Sequence, residues 1–180
     1  MTRTLTAAVL LASLFAAPSF AALKPGDAAP DFTAQATLGG DEFTFSLAEA
    51  LKKGPVVLYF FPKAFTKGCT AEAHEFAEAA GNFKAAGATL IGMSADDLGT
   101  LHKFSQQECS SKFPVASDSE LKVIKAFDSV LVSTSATALN LSDRISYVIG
   151  QDGKIAYAYA HRTPDKHVQN TLAAVKALKK

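Results

Sequence analysis

Residues 56–76 read VVLYFFPKAFTKGCTAEAHEF, and the fold turns on them. The run 56–61 is apolar without alternation, the pattern of a strand covered on both faces. From Thr70 to Ala85, Phe76, Ala80 and Phe83 recur at helical spacing, and Gly87 ends the helix. A second unbroken apolar run, TLIGM at 89–93, follows. Strand, helix and strand in this order predict a parallel pair joined by a right-handed crossover.

Toward the N-terminus, residues 24–30 form an irregular segment held extended by prolines. Residues 32–37 and 42–45 flank Leu38-Gly39-Gly40-Asp41 as a hairpin, and 47–52 make a short helix stopped by Gly54-Pro55. Toward the C-terminus, Asp96 or Asp97 caps a helix reaching about Glu108. Ser119 is expected to cap another, with Leu121, Ile124 and Phe127 on one face. Residues 145–149 and 155–160 flank the turn pair Asp152-Gly153, and Thr163-Pro164-Asp165 opens a last helix. The stretch 128–143 has few charges and no periodicity, as a loop over a pocket or a partner surface would. The whole order is that of a thioredoxin-like α/β domain, a central mixed β-sheet flanked by helices.

The chain has 180 residues, which suits one domain with a real core. Two cysteines permit at most one internal bridge, and 18 basic against 17 acidic side chains argue against a nucleic-acid partner. Residues 1–21 combine Arg3, an apolar run and Pro18-Ser19-Phe20-Ala21, the pattern of a secretory leader cut after Ala21. On that reading the domain is 22–180, with no membrane contact after cleavage. It would work in the periplasm or outside the cell, where disulfides persist. Beyond the leader the arginines are Arg144 and Arg162.

Cys69 follows a buried strand and opens a helix, where α/β sheets place their ligands. Free amides and the positive end of the helix favour a thiolate, the nucleophilic form. Lys63 and Lys67 add to that field or are plain solvated charges. Phe60, Phe61 and Phe65 read as core or pocket wall. Thr66, three residues before the sulfur, is placed to hydrogen-bond it, to cap the helix, or both.

Pro62, Thr66 and Cys69 match the Pro-x-x-x-Thr-x-x-Cys pattern of the peroxiredoxins. The wider string resembles the peroxiredoxin Q, or bacterioferritin comigratory protein, subfamily. So do LIGMSADD, FPVASD and DRISYVIGQDGKI further on. The resemblance implies a thioredoxin-like fold and thiol-dependent reduction of hydrogen peroxide and organic hydroperoxides in antioxidant defence. It casts Cys69 as the peroxidatic cysteine, Thr66 as its hydroxyl partner, Pro62 as the shield of the pocket and Arg144 as the cation holding thiolate and peroxide. A guanidinium, always charged and rich in donors, suits a leaving oxygen that gains charge. Sulfur is then the redox centre, so no metal, flavin or haem cofactor is expected. The expected partners are a peroxide and a thioredoxin-like or other thiol reductant, acting on a monomer.

The chain departs from the subfamily at one position. Many members carry a resolving cysteine five residues after the first; here that residue is His74. Cys109, in the helix after the second strand, is the remaining candidate. Other readings stay open. Cys109 could be an idle thiol, leaving Cys69 to an external one, or the two cysteines could form a structural disulfide in a binding or thiol–disulfide exchange protein. Exchange on this fold normally uses Cys-x-x-Cys, and Thr66 occupies the first of those positions. Pairing Cys69 with His74, or His102 with Cys109, matches no closed zinc set. His161 and His167 are expected to face solvent, and Glu72 is at most a weak hydrogen-bond partner of the pocket.

Overall fold

The computed structural model describes residues 22–132 and 140–179. Its elements run β1 (Thr33–Leu38), β2 (Asp41–Ser46), α1 (Leu47–Leu51), β3 (Val56–Phe60), α2 (Lys67–Ala85), β4 (Thr89–Ser94), α3 (Leu98–Gln107), β5 (Val115–Ser117), α4 (Lys122–Ala126), β6 (Ile145–Ile149), β7 (Ile155–Ala160) and α5 (His167–Ala177). The strands form a seven-stranded sheet in the order β2-β1-β5-β4-β3-β6-β7. β3, β4 and β5 are parallel, whereas β1, β2, β6 and β7 join antiparallel neighbours, so the sheet is mixed as expected. No helix among the described residues is long and apolar enough to cross a membrane.

Every residue of β3 is buried, which explains its unbroken apolar run. Successive side chains of a strand point to opposite faces. Val56, Leu58 and Phe60 join Leu47 and Ala50 of α1 and Val123 and Ile124 of α4. Val57, Tyr59 and Phe61 join Ala73 and Phe76 of α2, Leu101 and Phe104 of α3 and Val175 of α5. Two helical layers thus clamp the strand that leads into Cys69.

Several helix ends differ from expectation. α2 starts at Lys67, three residues before the apolar spacing becomes visible, so Cys69 lies in its first turn. Asp97 caps α3 by accepting from Thr100 N at 2.9 Å. Asp96 instead accepts from Ala64 N (2.7 Å) and Ser94 Oγ (2.8 Å), which pins the loop after β3. Ser119 is exposed and caps nothing. The carboxylate of Asp118 receives Lys122 N and Ile124 N at the start of α4 (2.9 and 2.7 Å). Thr163 does not cap α5: its hydroxyl donates to Asp165 Oδ2, and the helix begins after Lys166, whose φ is 70°. That turn carries His167 inward, and its exposure is 0%, against the expectation of a solvent-facing ring.

Candidate active site

The chain leaves β3 through a loop held by Asp96 and enters α2 at Thr66, whose extended backbone (φ −81°, ψ 148°) marks the helix start. Cys69 is 1% exposed and sits among Phe61, Ala64, Ala73 and Phe104. The free amide groups of the first helical turn surround such a position and favour negative charge.

Arg144 immediately precedes β6, the antiparallel neighbour of β3, so the sheet register brings it over the start of α2. Its guanidinium serves three partners. Nη2 donates to Cys69 Sγ at 3.4 Å, Nη1 pairs with Glu72 Oε2, and Nε donates to the Arg162 carbonyl at 2.9 Å. Arg162 thus supplies a backbone oxygen to the site, while its own side chain lines the mouth above it. Gly68 packs beneath the guanidinium: a Cβ there would lie 3.1 Å from Arg144 Nη2.

Glu72 is fully buried. Burial pushes its carboxyl up to about 8, against the pull of the Arg144 charge and hydrogen bond. The sequence carried a usable signal for this residue. A helix places Glu72 on one face with Cys69, Ala73 and Phe76, so an acidic group there must be buried and paired.

The remaining expected residues are placed as follows. Pro62 lines a pocket of about 250 Å³ with Leu131, Val132, Asp143, Arg144 and Arg162; Cys69 does not line it and is linked to it through Arg144. The Thr66 hydroxyl donates to the Lys63 carbonyl at 3.0 Å and not to the sulfur. Lys63 and Lys67 are exposed. Cys109, just past α3, is fully buried, and burial pushes its thiol well above the ordinary range. Both cysteines are free thiols within one apolar cluster that includes Phe104 and Phe113. His74 faces away from this chemistry and meets Glu108 at 2.8 Å. The ends of the 128–143 stretch pair through Val130 and Ser142, and Ser142 Oγ donates to the Phe61 carbonyl at 2.6 Å. Residues 133–139 of that stretch lie outside the described residues.

A thioredoxin-type sheet carrying a buried cysteine at a helix start, with a guanidinium on its sulfur, defines a thiol-based redox enzyme. Residues 25–158 match the AhpC/TSA family, and the chain belongs to it. Peroxiredoxin Q of Oryza sativa subsp. japonica, a chloroplastic protein, is 36% identical over 154 residues, covering 85% of this chain and 67% of the relative. The chloroplastic peroxiredoxin Q of Sedum lineare is 33% identical over 179 residues, covering 93% and 90%. Among solved structures, a cysteine-to-serine mutant of PrxQ from Xylella fastidiosa superposes with a TM-score of 0.78 at 25% identity, covering 89% of this chain and 99% of the other. Peroxidoxin BcpB from Mycobacterium tuberculosis superposes with a TM-score of 0.77 at 28% identity, covering 88% and 99%. The protein is a thioredoxin-fold peroxiredoxin, an antioxidant thiol peroxidase.

These relatives overturn the expected location. They are chloroplastic proteins, not periplasmic or secreted ones. They lend no support to the secretory leader, and residues 1–21 lie outside the described residues.

Proposed function

We propose that Cys69 is the peroxidatic sulfur and that Arg144, Thr66 and Pro62 form its peroxide site. The observation that carries this is the guanidinium of Arg144 donating to the Cys69 sulfur in the first turn of α2. A cation there stabilises the thiolate before reaction and the leaving oxygen during it. The thiolate attacks one peroxide oxygen, so an S–O bond forms as the O–O bond breaks. The electron pair leaves on the second oxygen, which takes a proton and departs as water or an alcohol. Sulfur is oxidised to the sulfenic acid. Pro62 walls off the pocket mouth. Thr66, whose hydroxyl donates to Lys63 O in the resting enzyme, exchanges that bond for one to the bound peroxide.

Cys109 then resolves the intermediate. Its thiol condenses with the sulfenic acid, expelling water and forming the Cys69–Cys109 disulfide, which a dithiol reductant of the thioredoxin type reopens by exchange. The buried Cys109 is a poor nucleophile in place, so resolution requires the end of α3 and the first turn of α2 to open. All the groups needed lie in one chain within 22–180, in keeping with a monomeric enzyme.

A single turnover tests the scheme. Reduced protein, freed of reductant and mixed with equimolar hydrogen peroxide, is expected to lose both thiols. Cys69→Ser is expected to lose neither oxidising equivalent nor thiol, and survival of both wild-type thiols would sink the reading. Gel filtration with light scattering checks the monomer.

A further inference from the structure

The two residues after Cys109 are wound against preference. Ser110 and Ser111 have φ of 50° and 53°, and among the described residues they are the one adjacent pair of non-glycine residues in the left-handed region. A β-carbon makes that region costly, and a helix end that needs it ordinarily takes a single glycine. Here two serines take it in succession. Backbone bonds hold the turn: Cys109 N donates to Phe104 O (3.1 Å), Ser111 N to Ser105 O (2.9 Å) and Lys112 N to Cys109 O (2.9 Å). Phe113 is buried beyond it, whereas Ser110, Ser111 and Lys112 are exposed. A side-chain contact ties the turn to α2. His74 Nε2 stands 2.8 Å from Oε2 of Glu108, the residue before Cys109. A groove of about 340 Å³, lined by His74, Ala77, Glu78, Ser110 and Lys112, runs along this seam, so the turn can swing outward without displacing another layer.

We propose that residues 108–112 are a sprung hinge for Cys109, in which the Ser110–Ser111 strain favours release of the thiol and the His74–Glu108 contact holds it closed. The strain exists only in the closed turn, because a freed backbone returns both serines to ordinary φ. It therefore raises the closed state and not the open one. The clasp acts in the opposite sense, since it joins two elements that part when the turn opens. His74 and Glu108 are thus positioning residues that act on Cys109 through the backbone. A sulfenic acid is open to a second peroxide until a thiol reaches it. The balance of spring and clasp then sets how far overoxidation competes with disulfide formation. That consequence rests on Cys109 as the resolving thiol, whereas the hinge itself does not.

The test reads the hinge without peroxide. In the full chain carrying Cys69→Ser, Cys109 is the one thiol left, and its reaction with dithiodipyridine under native conditions reports opening. Ser110→Gly and Ser111→Gly relieve the strain. Each is expected to slow labelling about threefold, the left-handed cost less the freedom that glycine adds to the open turn. Ser110→Ala and Ser111→Ala keep the β-carbon and should leave the rate unchanged. Glu108→Ala and His74→Ala are each expected to speed labelling about twofold, and the double variant no further than either alone, as the coupling of one pair requires. Glycine variants that label as fast as the alanine ones, or clasp variants whose effects add, overturn the proposal. With Cys69 restored, disulfide formation after a peroxide pulse is expected to follow the labelling rates. Labelling that shifts as stated beside disulfide rates that do not would uphold the hinge and remove Cys109 from the peroxidase scheme.

Discussion

In the proposed scheme the chemistry at Cys69 depends on where a single guanidinium stands. Gly68 sets the clearance: any side chain there presses on Arg144 Nη2 at 3.1 Å, and that nitrogen is the one donating to sulfur. Gly68→Ala is therefore expected to lower the second-order rate with hydrogen peroxide about tenfold, roughly 1.4 kcal/mol of transition-state stabilisation, while leaving the fold intact. Arg144→Lys should cost more, on the order of a hundredfold, because a lysine cannot serve sulfur, Glu72 and the Arg162 carbonyl from one planar fork. Stopped-flow measurement with each variant checks both. These contacts were only partly legible beforehand. Cys69, Thr66 and Arg144 stood out through their pattern. Glu72 could have been recognised from its place on the buried face of the helix. His167 could not, because its burial follows from a left-handed Lys166 that no local signal announces.

At the scale of elements, the sequence showed the buried strands and the helices, the short α1 and α4 among them, and it missed β5. β5 is three residues long and carries too little pattern to recognise, yet it bridges β1 and β4 in the middle of the sheet. Helix caps failed at α4 and α5 because several polar residues compete at each start, and tertiary position chooses among them. In the proposed scheme the same elements govern resolution. With Cys109 as the resolving thiol, just past the end of α3, Cys109→Ser should leave the first oxidation unchanged and stall the protein as sulfenic acid. Under excess peroxide this variant is expected to go on to the sulfinic acid, read as a gain of two oxygens in intact mass. A variant that still formed an internal disulfide would refute the assignment.

For the molecule as a whole, the buried acid and imidazole write themselves into the pH dependence of stability. Glu72 binds its proton more tightly folded than unfolded, with the carboxyl raised from 4.5 to about 8. Its contribution is full below the unfolded value and is lost as pH rises through the folded one. His167, lowered from 6.5 to about 4, contributes above its unfolded value and loses that contribution as pH falls through the folded one. Between the two unfolded values the slopes oppose one another, and from pH 6.5 to about 8 the acid acts alone. The Tm is expected to decline across that upper window, and Glu72→Gln should flatten the decline relative to wild type.

The last helix has a consequence for anyone who edits this chain. α5 lies beyond residue 158, where the family match stops, yet it inserts Val175 into the layer around Phe76 and Phe83 and delivers His167 to the back of the reactive centre. A fragment cut to the matched boundaries would keep Cys69, Glu72 and Arg144 but strip the cover from α2. Domain borders drawn by shared sequence and borders drawn by what the enzyme needs are, in this molecule, two different lines.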